Sequence, residues 1–178
     1  MCSLPFNDLQ LDPEGLSGIC VRLSNDVIRL ADIEKLLSDL LGASELSDAE
    51  RVIRELVEAA RKEMATVVTL AVERIRTGSY DGGKWSSLAL TIMDTFRNAQ
   101  EPGEILKVLV EADQENGAYL NNLGVFMEMQ GQIGEAIKYY ARAYATDYKA
   151  HGHEKATSFP AWVNLSRIAF NLVSKPLR

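Results

Sequence analysis

The sequence predicts an all-α protein built from antiparallel helical hairpins. Apolar residues recur at helical spacing along most of the 178-residue chain. We find no run with the alternation of period two that marks a half-buried strand. Glycine-rich breaks divide the periodic stretches into segments of helix length. Hydrophobic residues make up 47% of the chain, which is enough for a buried core in one or two small domains.

The amino-terminal region, residues 1–80, carries no repeated pattern. Prolines and glycines in residues 1–18 indicate an irregular leader, and this stretch is too polar for a signal peptide. A first helix is expected at about 25–41. Its apolar stripe covers more than half of the helix circumference, so we expect this helix to contact two neighbours.

A second, long helix is expected at about 48–76. Ser47 and Glu50 have the spacing of a capping box, in which the two side chains bond to the free amide groups of the first turn. Apolar positions that include Val52 and Leu56 form a continuous stripe along this helix, and charged residues occupy the opposite face. We expect the stripe to be buried and the charged face to be solvated.

The carboxy-terminal region, 84–178, follows a glycine-rich linker at 77–84 and contains the most regular pattern of the chain. Within 117–150, apolar residues form one stripe on each of two successive helices, and Gly131 lies between them at the turn. Gly124 has no side chain, which allows the second helix to approach the first closely. Small or aromatic residues face this position from the second helix, namely Ala136, Tyr140 and Ala143.

With Leu123-Gly124 on one helix and Ala136, Tyr140 and Ala143 on the next, this 34-residue segment resembles a tetratricopeptide repeat. The resemblance implies hairpins that stack into a short right-handed α-solenoid, whose first helices line a groove. The family usually has proline where Tyr148 stands, so the second helix is expected to run on. An ordinary helical hairpin with a coincidental match is the alternative.

Neighbouring segments resemble incomplete units of the same kind. Residues 85–116 read as a degenerate repeat, because Gly103-Glu104-Ile105-Leu106-Lys107 parallels Gly134-Glu135-Ala136-Ile137-Lys138 after a shift of 31 positions. Downstream, 151–158 is expected to be an insertion. A terminal helix is expected at about 160–174, and its many apolar residues indicate an exposed edge.

The resemblance implies a protein–protein interaction module, an adaptor or chaperone-like unit that binds a partner's peptide or helix. Asn122 and Asn164 occupy equivalent positions in their units, and an amide there can hydrogen-bond a peptide backbone. Asn121, Glu128 and Arg167 are expected to flank the groove. This hypothesis predicts that Asn122→Ala and Asn164→Ala weaken partner capture without lowering the melting temperature. The alternative is that both asparagines simply face water.

Two other functions remain open at this stage. The chain could be a structural unit that forms a homodimer through its long or terminal helix. It could also be an enzyme, although no nucleophile or phosphate-binding motif is present, and we expect it not to be one. His151 and His153 could share a metal ion, but further ligands are missing nearby. We therefore expect no metal or other cofactor, and a polar, solvent-facing loop around the two histidines.

Composition narrows the choice of partners. The net charge of -6 argues against nucleic-acid binding, which requires a basic surface. The sequence contains no apolar run of the ~18–20 residues that a membrane span needs. Only two cysteines are present, Cys2 and Cys20, so a reducing cytoplasmic location is the simplest expectation.

Overall fold

The structure, a computed structural model, describes residues 43–78, 81–95 and 99–174 together with the single positions 18, 22, 25 and 29. The elements of its continuous segments are seven helices: α1 Ala43–Arg76, α2 Gly82–Thr95, α3 Glu101–Ala112, α4 Gly117–Met129, α5 Ile133–His151, α6 His153–Ala156 and α7 Pro160–Val173. No strand occurs among these residues, and the all-α prediction is confirmed. The expected leader and most of the expected helix at 25–41 lie outside the described residues.

Helix α1 is longer than the sequence predicts. It begins at Ala43, so Ser47 lies inside the helix and the expected capping-box start is wrong. Alanine, glutamate and leucine at 43–46 favour helix, which explains the extra turn. The buried stripe is continuous only in the second half of α1. In the first half Val52 and Leu56 are 47% and 49% exposed.

The break between α1 and α2 is shorter than the expected linker at 77–84. Helix α2 begins at Gly82 because the Asp81 carboxylate caps it. Its Oδ1 accepts hydrogen bonds from the backbone N–H groups of Gly83 at 3.1 Å and Lys84 at 3.3 Å. An aspartate at this position satisfies amide groups that the helix itself leaves unpaired.

Helices α4 and α5 form a closely packed hairpin. A methyl group on Gly124 would lie 2.6 Å from the Tyr140 ring, so only glycine permits this approach. Ala136 and Ala143 are fully buried at the same crossing. At the turn, Gly131 adopts φ +73°, and the N–H of Gln132 donates to the Met127 carbonyl at 2.8 Å, which closes a Schellman motif.

The second helix of this hairpin continues past Tyr148, as the absence of proline at that position predicts. Helix α5 runs on to His151 and stops where Gly152 takes φ +78°. The segment 151–158, expected as a polar loop, instead contains the single-turn helix α6, and Ala156 within it is fully buried. Helix α7 then covers the span expected for the terminal helix.

The helices stack in order, and this order positions the candidate site. Helix α3 contacts α2 and α4, while α4 contacts α2 on one side and α7 on the other. Helix α5 packs against both α4 and α7, and the second half of α1 packs against α3. The core is continuous through these layers, from Met64 and Val67 of α1 to Ile168 of α7. As a consequence, α2, α4 and α7 lie side by side.

Candidate functional site

A chain of amide hydrogen bonds crosses the three adjacent helices α2, α4 and α7. Asn164 Nδ2 donates to Asn121 Oδ1 at 3.0 Å, and Asn121 Nδ2 donates to Asn122 Oδ1 at 3.3 Å. Asn122 Nδ2 in turn donates to Ser86 Oγ at 2.9 Å. Ser86 and Asn121 are buried, with 6% and 9% of their surface exposed. We refer to these four residues as the amide chain.

The helical geometry of α4 explains how two neighbouring residues reach opposite partners. Successive side chains on a helix point about 100° apart. Asn121 is thereby directed to Asn164 on α7, and Asn122 is directed to Ser86 on α2. A carboxamide donates and accepts simultaneously, so each member can pass the hydrogen bond to the next. Asn122 and Asn164 thus do not simply face water, because both hold neighbouring helices.

About two helical turns further along α4, a second cluster joins three helices through a carboxylate. Glu128 Oε2 accepts a hydrogen bond from Tyr140 Oη on α5 at 2.9 Å. The same oxygen accepts from Arg167 Nη2 on α7 at 2.6 Å, within an ion pair. The Arg167 side chain remains 47% exposed, whereas that of Glu128 is 23% exposed. We refer to these three residues as the carboxylate cluster.

The carboxylate cluster fixes the charge state of its members. The hydrogen bond from Arg167 lowers the pKa of Glu128, despite partial burial of the carboxylate, and Tyr140 adds to this effect. Burial, followed by the hydrogen bond to Glu128, raises the pKa of the Tyr140 phenol. The pKa of Arg167 is also raised, first by its hydrogen bond to Glu128. At neutral pH Glu128 and Arg167 are therefore charged and Tyr140 is neutral.

An open cavity of about 370 Å³ lies between the amide chain and the carboxylate cluster. Its lining combines apolar and polar side chains from three helices, namely Val125, Glu128, Met129, Tyr140, Asn164 and Arg167. Val125 is half-buried and Met129 is 41% exposed, so an apolar floor is accessible from solvent. The cavity can therefore accept an apolar side chain beside groups that donate and accept hydrogen bonds.

Comparison of the chain with protein-family models, curated proteins and solved structures finds no match. The candidate site is accordingly defined by its own geometry. Across the described segments, every helix is too short or too polar to traverse a lipid bilayer.

The structure places the five residues that the sequence analysis proposed for a groove in two groups. Asn121, Asn122 and Asn164 belong to the amide chain, and Glu128 and Arg167 belong to the carboxylate cluster. Of the five, Asn164, Glu128 and Arg167 line the cavity. Sequence reasoning missed Ser86 and Tyr140 as their partners, and Val125 and Met129 as the floor of the cavity. Tyr140 was recognised only as a packing residue of the repeat. Ser86 belongs to no recognisable sequence motif. It lies within hydrogen-bonding distance of Asn122 only because of the lateral offset between α2 and α4.

The two histidines lie on either side of Gly152, where α5 ends, and their rings have different partners. His153 Nδ1 lies 3.2 Å from Tyr144 Oη, and the ring of His151 lies 5.3 Å from the ring of Phe159. Within the described part of the chain, no three His, Cys, Asp or Glu side chains converge as metal ligands would. The histidines instead belong to an aromatic cluster where α5, α6 and α7 meet.

A second open cavity lies on the other side of α4, toward α3 and α5. It measures about 360 Å³ and has a mostly polar lining, formed by Lys107, Val110, Glu111, Gln114, Leu123, Tyr139 and Arg142. The Arg142 guanidinium stands 6.0 Å from the centre of the Tyr139 ring, so the cation is already engaged within α5. This second cavity differs chemically from the first, because it lacks an exposed apolar floor.

Proposed function

We propose that this protein is an interaction module of tetratricopeptide-repeat type, which binds a peptide segment of another protein in the groove formed by α2, α4 and α7. The observation that carries the proposal is that three of the five sequence-selected residues, Glu128, Asn164 and Arg167, line one solvent-accessible cavity with an apolar floor. The amide chain connects the other two, Asn121 and Asn122, to Asn164. The lateral contact of α2, α4 and α7 supports the repeat-type arrangement, because these are the first helices of successive hairpins. We further propose a cytoplasmic location.

The chemistry of the cavity indicates the kind of peptide that fits. Val125 and Met129 favour an apolar side chain, and Asn164 can exchange hydrogen bonds with a peptide backbone. Arg167 is neutralised by Glu128, so a ligand carboxylate would have to compete with an internal ion pair. We therefore propose an internal peptide segment with an apolar anchor, rather than an acidic carboxyl terminus.

The charge states at the site favour binding over catalysis. The pKa shifts of Glu128 and Tyr140 move both groups away from neutral pH, whereas a general acid or base works best with a pKa near the operating pH. Glu128 also accepts hydrogen bonds from both Tyr140 and Arg167, so the phenol and the carboxylate are already engaged with each other. The cluster thus acts as a fixed wall of the groove in this proposal.

Selection from a random peptide library on the immobilised protein tests the proposal. Selected peptides should bind Met129→Lys at least tenfold more weakly than the unsubstituted protein, because a charge would enter the apolar floor. Ile133→Lys is the matched control, since Ile133 is 38% exposed, similar to Met129, but does not line the cavity. Amidated and free-acid forms of each peptide should bind equally. Equal binding of the peptides to Met129→Lys would contradict the proposal.

A further inference from the structure

Helix α7 carries an apolar face that the described helices leave largely exposed. Ala161 and Ile168 are buried on the side of α7 that meets the rest of the protein. The opposite side is uncharged and consists of Val163, Ser166, Ala169, Phe170 and Val173. Trp162 lies at the edge of this side, 37% exposed, with its ring 5.1 Å from the Tyr144 ring of α5. Phe170 is 72% and Val173 is 86% exposed, so this face is a contiguous apolar surface rather than a few scattered atoms.

Helix α4 shows what such a face is shaped to contact. A shift of 42 positions aligns Trp162, Ser166 and Ala169 of α7 with Leu120, Gly124 and Met127 of α4. These three α4 residues are buried, and α5 packs closely over Gly124. The small side chains of Ser166 and Ala169 similarly permit close approach of another helix. The exposed face of α7 is therefore suited to a helix.

The order of large and small side chains on this face is palindromic, so it reads the same from either end of α7. Trp162, Ser166, Ala169 and Val173 read large, small, small, large, with spacings of four, three and four. In a contact with twofold symmetry, residue i of one copy meets residue j of the other, and j meets i. An antiparallel pair of α7 helices would thus set Ser166 against Ala169 and Trp162 against Val173, twice each.

The charge of the face also permits a copy of the same chain as its partner. The chain as a whole has a net charge of -6, so charged surfaces of two copies repel each other. Arg167 is the only charged residue of α7, and Glu128 of the same chain neutralises it. Two α7 faces can therefore meet without unpaired or opposing charges in the contact.

We propose that a second copy of this chain covers the exposed face of α7, with the two α7 helices antiparallel about a twofold axis between Arg167 and Ile168. The contact is a single pair of helices, each about 21 Å long. It therefore buries less surface than a standard interface, which buries ~800 Å² per partner. We expect a dissociation constant on the order of 10 μM. The dimer contact uses the side of α7 that faces away from the amide chain. The dimer proposal is therefore independent of the proposed peptide binding.

Sedimentation equilibrium of the full chain, from roughly 1 to 200 μM, tests this proposal. The mass should rise with concentration from 19.7 kDa toward twice that value. Ala169→Glu should raise the dissociation constant at least tenfold, because it buries a charge at the helix crossing. Ala145→Glu makes the same change at an exposed position of α5 and should behave like the unsubstituted protein. Peptide binding should be retained by both variants.

The antiparallel register has its own test. Adding Ser166→Lys to Ala169→Glu should restore dimerisation at least fivefold, because each lysine then meets a glutamate of the other copy. Circular dichroism checks that every variant is folded. A single-chain mass at all concentrations would mean that another segment or partner covers the face, and it would overturn the proposal. A dimer that is unaffected by Ala169→Glu would overturn it as well, as would failure of the double variant to restore the dimer.

Discussion

Asn164 Nδ2 donates a hydrogen bond to Asn121 Oδ1 at 3.0 Å and thereby joins α7 to α4. The same amide chain continues through Asn122 to Ser86 of α2, so it links all three helices that line the proposed groove. The polar residues of the groove consequently have a structural role as well as a proposed binding role. A partner's backbone would be read by side chains that are already held in place by one another, which reduces the entropy lost on binding.

Removing Asn164 should lower stability, because Asn121 Oδ1 is then buried without its donor. We expect Asn164→Ala to reduce the free energy of unfolding by about 1–2 kcal/mol, the cost of an unsatisfied buried acceptor. Urea denaturation measures this change. Asn171→Ala is the control, because Asn171 lies on the same helix but is exposed, and its effect should stay within ~0.5 kcal/mol. Equal stability of the two variants would show that the amide chain does not stabilise the fold.

This result would change the expectation drawn from the sequence alone, which was that Asn164→Ala weakens partner capture without affecting the melting temperature. The internal hydrogen bonds predict that both quantities change. Met129→Lys is accordingly the cleaner probe of binding, since Met129 is exposed and contributes little to the core.

A pair of glycine substitutions tests the close contact between α4 and α5. Gly124→Ala should destabilise the protein by about 1–3 kcal/mol, because the new methyl group would lie 2.6 Å from the Tyr140 ring. Gly134→Ala should be neutral or stabilising by up to ~1 kcal/mol, since nothing lies within 4 Å of the added carbon and alanine favours helix. Thermal unfolding of both variants provides the comparison. A Gly124→Ala variant as stable as Gly134→Ala would contradict the packing described here.

The carboxylate cluster should make part of the stability depend on pH. Because the pKa of Glu128 is lowered from 4.5 in the folded state, the unfolded chain binds more protons just below that value. The contribution of Glu128 is therefore complete above pH 4.5 and is lost as the pH falls through the lowered pKa. Arg167→Met should cost roughly 0.5–1 kcal/mol at neutral pH, a value kept small by the exposure of Arg167. This cost should shrink at acidic pH.

Urea denaturation of the unsubstituted protein and of Arg167→Met, at intervals between neutral pH and about pH 3, measures the effect. Lys138→Met serves as the control, because it removes an ion pair with Glu135 in which both side chains are well exposed. The free energy of unfolding of Lys138→Met should change with pH in the same way as that of the unsubstituted protein over the whole acidic range. A constant difference between Arg167→Met and the unsubstituted protein would mean that the ion pair does not lower the pKa of Glu128.

The amino-acid sequence by itself determined the helical class and the close contact between α4 and α5 at Gly124. Both are local properties, because the spacing of apolar residues sets a helical stripe and Gly124 marks where α5 can approach α4. The run-on of α5 past Tyr148 also follows from the chain alone, since no proline stops the helix there. The start of α1 was wrong by five residues, because a capping-box spacing does not prevent helix formation upstream of it.

Only the tertiary structure decided what the groove residues do. The sequence selected Asn122 and Asn164 through their equivalent positions, but their partners Ser86 and Asn121 lie on other helices, 36 and 43 positions away along the chain. Such contacts depend on the lateral offset between stacked helices, which arises from packing across the whole core and leaves no local signal. For the same reason, the covered and exposed sides of α7 became distinguishable only once α4 and α5 were in place.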